Sequence, residues 1–231
     1  MMRGSVVLVH GAWSWPEDWR WVVGELGAKG VDVRAVDLPS HHSSSAVRAD
    51  DVALVEKTIE EMPDPVVVVG WSYGGAVITD IDADNVNVVR LVYVASTPAV
   101  EVAEDAPGGG ALDLSLFVFP DDDSIVLNNE TWLSERGLTF PAEVLEHLAH
   151  YPRRPIALAA WLAPQSRYAW QSIPSTILLG RDDPLHPEAQ QQWAQDRFDD
   201  VRILDGCDHF PVFRQPAVVA ETVVEAFADT T

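Results

Sequence analysis

The 231-residue chain is predicted to be an α/β protein built around a mostly parallel six-stranded sheet. Short, wholly apolar runs rich in β-branched residues alternate with segments whose apolar residues recur every three or four positions. Strands of a parallel sheet that are buried on both faces give the first pattern, and helices packed on the sheet give the second. Strands that alternate with helices favour right-handed crossovers within one sheet.

The first half of the chain supplies four of the predicted strands. Pro16 suits the first turn of a helix and Gly30 can end one, and apolar residues recur at helical spacing between them. The predicted strands are 5–10, 31–36, 66–69 and 88–94, and the predicted helices are 16–29, 49–61 and one that begins near residue 74.

The regular alternation stops near residue 97 and returns at residue 176. Residues 97–172 carry short helical patterns around 141–150 and 154–162, and we predict that they form a helical cap inserted over the sheet. Residues 1–231 are therefore expected to form one domain, which is an ordinary length for a single α/β core. The closing elements are predicted strands at 176–180 and 201–204 and predicted helices at 188–197 and 217–227.

Composition excludes several kinds of partner. The net charge of −21, from 36 acidic and 15 basic residues, repels phosphate backbones and anionic lipid surfaces, so neither nucleic acid nor membrane is expected to bind. No segment approaches the roughly 20 apolar residues of a transmembrane helix, and the N-terminus lacks the features of a signal peptide. The single Cys207 agrees with a reducing compartment. We expect a soluble cytoplasmic protein of unknown oligomeric state.

A nucleophile motif lies between the third strand and the helix after it. Residues 70–74 read Gly-Trp-Ser-Tyr-Gly and fit the pattern G-x-S-x-G, a sharp turn that holds its serine in strained backbone geometry. Side chains at Gly70 and Gly74 would collide where strand and helix converge. Ser72 is therefore predicted to stand exposed above the sheet, at the N-terminus of a helix.

Later turns offer the partners that such a serine needs. A serine hydroxyl is a weak nucleophile that requires an adjacent base, which a carboxylate must in turn orient. In parallel sheets, reactive side chains lie in turns beyond the carboxyl ends of the strands. One such turn carries Asp182 and Asp183, and another carries Asp208 and His209.

These motifs occur in one order along nearly the whole chain. They are His10-Gly11-Ala12-Trp13, Asp37-Leu38-Pro39, the run from Gly70 to Gly75, the run from Leu91 to Ala95, the turn after Gly180, and the run from Gly206 to Pro211. Together they resemble the α/β-hydrolase family, in the branch of small bacterial esterases, plant methyl esterases and hydroxynitrile lyases. The resemblance implies a capped sheet and a Ser-His-Asp triad that needs no cofactor.

The resemblance also implies roles for individual side chains. Ser72 would be the nucleophile and His209 the general base. The residues alone leave the orienting acid open between Asp182 and Asp183. Relatives generally place this acid three residues after the glycine that ends the strand, which selects Asp183.

Substrate contacts are expected around the same turns. The resemblance assigns the oxyanion hole to the backbone N–H groups of Ala12 and Tyr73. Aromatic side chains near the nucleophile and in the cap are predicted to line an apolar pocket. The candidate substrate-binding residues are Trp13, Trp71, Phe210, Trp132 and Trp161.

The other histidines are expected to have no catalytic role. His10 is predicted to be a structural hydrogen-bonding residue, and His41 and His42 are predicted to be solvated loop residues. The remaining three are expected at the surface or in the cap: His147, His150 and His186. No metal site is predicted, because no pair has metal-motif spacing on one helix with a supporting carboxylate.

The favoured function is a serine hydrolase that cleaves a small, largely apolar carboxylic ester, with lactones and thioesters as near variants. Plant hydroxynitrile lyases share the triad but also use a lysine near the base, whereas Lys29 and Lys57, the chain's two lysines, lie on early helices. Perhydrolase-type chemistry remains an alternative. A ligand-binding protein that has lost turnover is the alternative outside enzymes.

Overall fold

The computed structural model describes residues 4–84, 87–100, 114–130, 132–135 and 137–228. Its strands are β1 (Ser5–Val9), β2 (Asp32–Val36), β3 (Val66–Trp71), β4 (Val88–Val94), β5 (Phe117–Asp121), β6 (Ser124–Leu127), β7 (Ile156–Ala157), β8 (Ser175–Gly180) and β9 (Val201–Leu204). Its helices are α1 (Arg20–Ala28), α2 (Arg48–Glu60), α3 (Tyr73–Thr79), α4 (Trp132–Glu135), α5 (Ala142–His150), α6 (Leu158–Trp161), α7 (Glu188–Gln195), α8 (Pro211–Arg214) and α9 (Pro216–Ala228). None of the described helices is long and apolar enough to cross a membrane.

The main sheet has six strands in the order β2-β1-β3-β4-β8-β9, and all five pairings are parallel. Every residue of β1 and β3 is buried, because helices cover both faces of the sheet. Helix α1 packs against α9, and α2 packs against α3. The predicted parallel six-stranded sheet with flanking helices is therefore confirmed.

The turn from β3 into α3 has the strained geometry that the sequence predicts. Ser72 has φ 53° and ψ −117°, a conformation that costs a non-glycine residue free energy. A Cβ on Gly70 would lie too close to the carbonyl of Gly74, and a Cβ on Gly74 would collide with the carbonyl of Val9 on the neighbouring strand β1. Glycine is thus required at both positions for strand and helix to approach so closely.

The cap differs from the helical insertion that the sequence predicts. It contains a three-stranded antiparallel sheet, in the order β5-β6-β7, as well as helices. Helix α5 matches the predicted helix at 141–150, but the predicted helix at 154–162 is wrong over its first half. Ile156 and Ala157 pair with β6 and are almost fully buried, so a distant partner strand overrides their helical pattern. Residues 101–113 of the predicted cap lie outside the described residues.

A buried ion cluster joins the cap to the first helical turn after β1. Asp18 is fully buried. Its carboxylate lies 2.9 Å from Arg153 Nη1 and 2.7 Å from His147 Nε2, both of which belong to the cap. Burial by itself would raise the pKa of Asp18, but the Arg153 charge and hydrogen bonds from His147, Arg153 and the Trp15 amide lower it to about 2. His147, expected at the surface or in the cap, is thus a buried cap residue.

Replacing Asp18 with asparagine is expected to lower the free energy of unfolding at pH 7 by about 3 kcal/mol or more, because Arg153 is left as a buried charge without its partner. Urea unfolding followed by tryptophan fluorescence measures the change. Glu25→Gln is the matched control, since Glu25 is exposed on the adjacent helix α1, and it should change stability by less than about 0.5 kcal/mol. Equal free energies of unfolding for Asp18→Asn and the wild type would contradict a stabilising role for the buried ion cluster.

The free energies of unfolding of the wild type and Asp18→Asn should approach each other as the pH falls. The pKa of Asp18 is depressed in the folded state, so its contribution is full above the unfolded value of 3.8 and is lost as the pH falls toward about 2. That shift corresponds to about 2 kcal/mol. Other carboxylates titrate in both proteins. The stability difference between wild type and Asp18→Asn is therefore expected to narrow by this amount between roughly pH 5 and pH 2, and a constant difference would refute the assignment.

Candidate active site

Three side chains predicted from the sequence lie in one chain of hydrogen bonds. Ser72 precedes α3, Asp183 follows β8 and His209 follows β9, so each lies beyond the carboxyl end of a parallel strand. His209 Nε2 is 2.9 Å from Ser72 Oγ, and His209 Nδ1 is 2.8 Å from Asp183 Oδ2. This geometry lets a neutral imidazole donate to the carboxylate and accept from the serine hydroxyl.

Asp183, rather than Asp182, reaches His209. The Asp183 carboxylate is buried, and its Oδ1 accepts a hydrogen bond of 2.8 Å from the Leu185 amide. Asp182 is exposed. Burial by itself would raise the pKa of Asp183, but the facing His209 and the hydrogen bonds from His186 and His209 hold it well below its usual range. The carboxylate therefore stays ionised at neutral pH.

The loop that carries His209 is fixed on both sides. Trp71 Nε1 donates to the His209 carbonyl at 3.0 Å. The Asp208 carboxylate accepts from the Phe210 amide at 3.0 Å and from the Arg214 guanidinium at 2.7 Å, so it points away from the imidazole into its own turn. These hydrogen bonds fix the backbone on either side of His209.

A second histidine, which the sequence interpretation missed, shares the Asp183 carboxylate. His186 is buried rather than exposed. Its Nδ1 lies 2.8 Å from Asp183 Oδ2, the same oxygen that His209 contacts. The two imidazoles are nearly parallel, with an interplanar angle of 11° and centroids 5.9 Å apart. Its position three residues after Asp183 was the available signal, but that spacing alone does not show which way the side chain points.

Asp183, His186 and His209 also form the group of described residues that could hold a metal ion. Their candidate ligand atoms lie within 4.8 Å of one another. The three residues come from two separate turns rather than from one helix, so no helical spacing motif in the sequence marks them. Both Nδ1 atoms are hydrogen-bonded to Asp183, so a metal would have to replace the hydrogen bonds that orient His209.

The predicted oxyanion donors lie in two turns beside Ser72. The amide of Ala12 donates to no acceptor among the described residues, and Tyr73 is the first residue of α3, where an N–H has no acceptor within the helix. His10 Nε2 accepts from the Leu38 amide and from Arg154, which leaves Nδ1 to donate to the Gly11 carbonyl at 2.9 Å. This bond fixes the peptide plane that carries the Ala12 N–H.

The cap and a buried histidine anchor the same turn. His41 Nε2 accepts from the Trp13 amide at 3.0 Å, and the Trp13 indole donates to the Ile125 carbonyl of the cap sheet at 3.0 Å. His41 is buried, so its predicted place as a solvated loop residue is wrong; His42 is exposed, as predicted. Burial lowers the pKa of His41 well below its usual value, which keeps the ring neutral and able to accept.

A cavity of about 700 Å³ opens above Ser72. All five aromatic residues predicted to bind substrate line it. They belong to two aromatic clusters, which also include Phe117 and Phe140. The Trp161 cluster comprises Trp13, Phe117 and Trp161, with ring centroids 5.1–6.3 Å apart. The Phe210 cluster comprises Trp71, Trp132, Phe140 and Phe210, in which the other rings lie 5.5–5.8 Å from Phe210.

The cavity also has polar lining residues that the sequence interpretation missed. Arg48 and Arg153 both line it. Arg153 belongs to the buried cluster with Asp18, whereas Arg48 begins α2. Nothing in the local sequence distinguishes either arginine from an exposed one, because only the packing of the cap turns them inward.

The family of the chain follows from its similarity to known proteins. A family model described as the alpha/beta hydrolase family matches residues 6–222. A pimeloyl-[acyl-carrier protein] methyl ester esterase from Aromatoleum aromaticum is 30% identical over 249 residues, covering 97% of this chain and 99% of that protein. The alpha/beta hydrolase nvfD from Aspergillus novofumigatus is 27% identical over 248 residues, covering 98% of this chain and 97% of that protein.

Solved structures agree at the level of the fold. The methylesterase MES16 from Arabidopsis superposes with a TM-score of 0.76 at 18% identity, covering 99% of this chain and all of that one. A pyrethroid hydrolase from Sphingobium faniae superposes with a TM-score of 0.73 at 20% identity, covering 97% and 98% of the two chains. By its matching family model, its full-length relatives and its sheet, this chain belongs to the α/β-hydrolase family.

Proposed function

We propose that the chain is a serine hydrolase that cleaves a small, largely apolar carboxylic ester through an acyl-enzyme intermediate. The observation that carries the proposal is the continuous hydrogen-bonded chain from Ser72 through His209 to Asp183. A buried, ionised aspartate orients the imidazole, and the imidazole lies within reach of the serine proton. No cofactor enters this reaction.

In the first half of the reaction, Ser72 Oγ attacks the ester carbonyl carbon while His209 Nε2 takes its proton. The tetrahedral intermediate then collapses as His209 protonates the leaving alkoxide, and the acyl group stays on Ser72. A water molecule repeats the attack with the same base and releases the acid. The amides of Ala12 and Tyr73 would bind the oxyanion, a contribution of about 3 kcal/mol for each donor.

The cavity supports a compact and mostly apolar substrate. Its volume of about 700 Å³ lies within the range of small-molecule sites, and the Trp161 and Phe210 clusters form much of its wall. The relatives named as esterases and hydrolases support an ester as the substrate class. Lactones and thioesters present the same carbonyl to Ser72 and remain within the proposal.

The lyase alternative receives less support from the residues around the cavity. Neither Lys29 nor Lys57 lines it, so the lysine that plant hydroxynitrile lyases place near the base has no equivalent there. The proposal therefore keeps hydrolysis as the reaction.

The first experiment is covalent labelling with a fluorophosphonate, followed by intact-protein mass. The wild type should gain one adduct, because His209 activates Ser72 toward the phosphorus centre, and Ser72→Ala should gain none. Ser43→Ala is the matched control, since Ser43 is an exposed loop serine, and it should label like the wild type. A folded wild-type protein that gains no adduct would contradict the proposal and favour a ligand-binding protein.

The assignment of the acid is tested by two adjacent substitutions. Asp183→Asn should lower kcat by roughly 10³- to 10⁴-fold, because an amide cannot hold His209 in the correct tautomer. Asp182→Asn should lower it less than about tenfold, because Asp182 is exposed and Asp183 makes the bond to His209. Initial rates with a short-chain p-nitrophenyl ester measure both. A larger loss in Asp182→Asn than in Asp183→Asn would reverse the assignment.

A further inference from the structure

Arg48 is a buried cation in the wall of the cavity. Its side chain is at the first position of α2 and only 6% of the residue is exposed. The guanidinium carbon lies 5.7 Å from the ring centroid of Tyr73, the residue after Ser72. Cap residues Trp161 and Gln165 also contact the guanidinium. Arg48 therefore lies between helices α2 and α3 on one side of the cavity wall and the cap, close to the Trp161 cluster.

The hydrogen-bonding capacity of Arg48 is mostly unused. A guanidinium carries five N–H donors. Nη1 reaches Gln165 Oε1 and Nη2 reaches the Trp161 carbonyl, each at 3.4 Å, which is longer than an ordinary hydrogen bond. Nε is buried and has no partner among the described residues. Buried charged groups are normally hydrogen-bonded throughout, so Arg48 lacks acceptors.

Neighbouring carboxylates supply charge to Arg48 but no acceptor. Asp80 Oδ2 is 3.8 Å from Nη1, close enough for an ion pair and too far for a hydrogen bond. Asp80 Oδ1 already accepts three hydrogen bonds, from Ser166 and Arg167, at 2.7–2.9 Å. Asp51 accepts from the Tyr73 hydroxyl at 2.6 Å and from the Ser40 amide at 2.9 Å. What Arg48 needs is an acceptor atom rather than another negative charge.

Arg153, the other arginine of the cavity wall, provides an internal comparison. It bonds the Asp18 carboxylate at 2.9 and 3.2 Å, Ser14 Oγ at 3.1 Å and the Tyr151 carbonyl at 3.3 Å. Both of its terminal nitrogens thus have acceptors within the protein, all at shorter distances than the contacts of Arg48. Both arginines line the cavity, but the terminal nitrogens of Arg48 make only the two 3.4 Å contacts, and its buried Nε has no partner among the described residues.

We propose that Arg48 binds a second, neutral oxygen acceptor of the substrate, distinct from the scissile carbonyl and beside the Trp161 cluster. This inference rests on the proposed ester hydrolysis. The substrate would be a largely apolar ester that also carries a ketone, amide or second ester carbonyl. A carboxylate is the weaker fit, because Asp80 already balances the charge of Arg48 and the net charge of −21 repels anions.

Three methyl esters of matched length test the inference: methyl hexanoate, methyl 5-oxohexanoate and monomethyl glutarate. The ratio of kcat/KM for the keto ester to that for methyl hexanoate should be about tenfold to a hundredfold in the wild type, the range for a hydrogen bond to a charged group. Arg48→Met should bring the ratio close to one. Because the ratio compares two substrates on one protein, it does not depend on the amount of folded enzyme.

Two further variants serve as controls. Arg48→Lys keeps a positive charge beside Asp80 but loses the planar fork of donors, so its ratio should fall between those of the wild type and Arg48→Met. Arg34→Met makes the same chemical change as Arg48→Met at a half-exposed arginine on β2 that pairs with Glu61, and its ratio should equal that of the wild type.

The outcomes separate this inference from the proposed function. Equal rates for the keto ester and methyl hexanoate in the wild type would overturn the inference and leave ester hydrolysis standing, and a preference for monomethyl glutarate would overturn the neutral acceptor. If no methyl ester is turned over, the same three compounds are compared as competitors of fluorophosphonate labelling. The keto ester should then protect wild type best and lose that advantage in Arg48→Met; equal protection would refute the inference. Absence of labelling altogether would instead refute the proposed function.

Discussion

The close approach of β3 and α3 is the constraint on which the rest of the site depends. Gly70 and Gly74 allow it, and the sharp turn forces Ser72 into a strained conformation with φ 53°. Because β3 is a central strand of a parallel sheet, its carboxyl end faces the turns that follow β8 and β9. Two side chains from those turns, Asp183 and His209, need only ordinary backbone geometry to reach Ser72.

The cap acts on this site through hydrogen bonds to the turn at residues 11–15. Arg154 Nε donates to the Ser14 carbonyl, the Trp13 indole donates to the cap sheet, and the Trp15 indole donates to the Pro152 carbonyl. The turn also carries the Ala12 amide. The cap therefore helps to hold the turn that carries the proposed oxyanion donor.

The buried charged side chains around the cavity differ in how completely they are hydrogen-bonded. Asp18 and Arg153 saturate each other and hold the cap in place, and Asp183 is saturated by His186, His209 and the Leu185 amide. Arg48 has a counter-charge but few acceptors. The well-paired groups stabilise the structure, whereas the incomplete hydrogen bonding of Arg48 is the basis for proposing that it binds a substrate oxygen.

The sequence by itself determined the parallel sheet, the elbow at Ser72 and the order of serine, aspartate and histidine, because apolar periodicity, glycine in a tight turn and strand ends are local properties. It could not determine the cap sheet, the burial of His186 or the burial and incomplete hydrogen bonding of Arg48. Asp18 and His147, for example, are 129 positions apart, and the pairing of β6 with β7 joins distant segments. Contacts of this kind depend on how the cap packs against the sheet, and only the tertiary structure decides that packing.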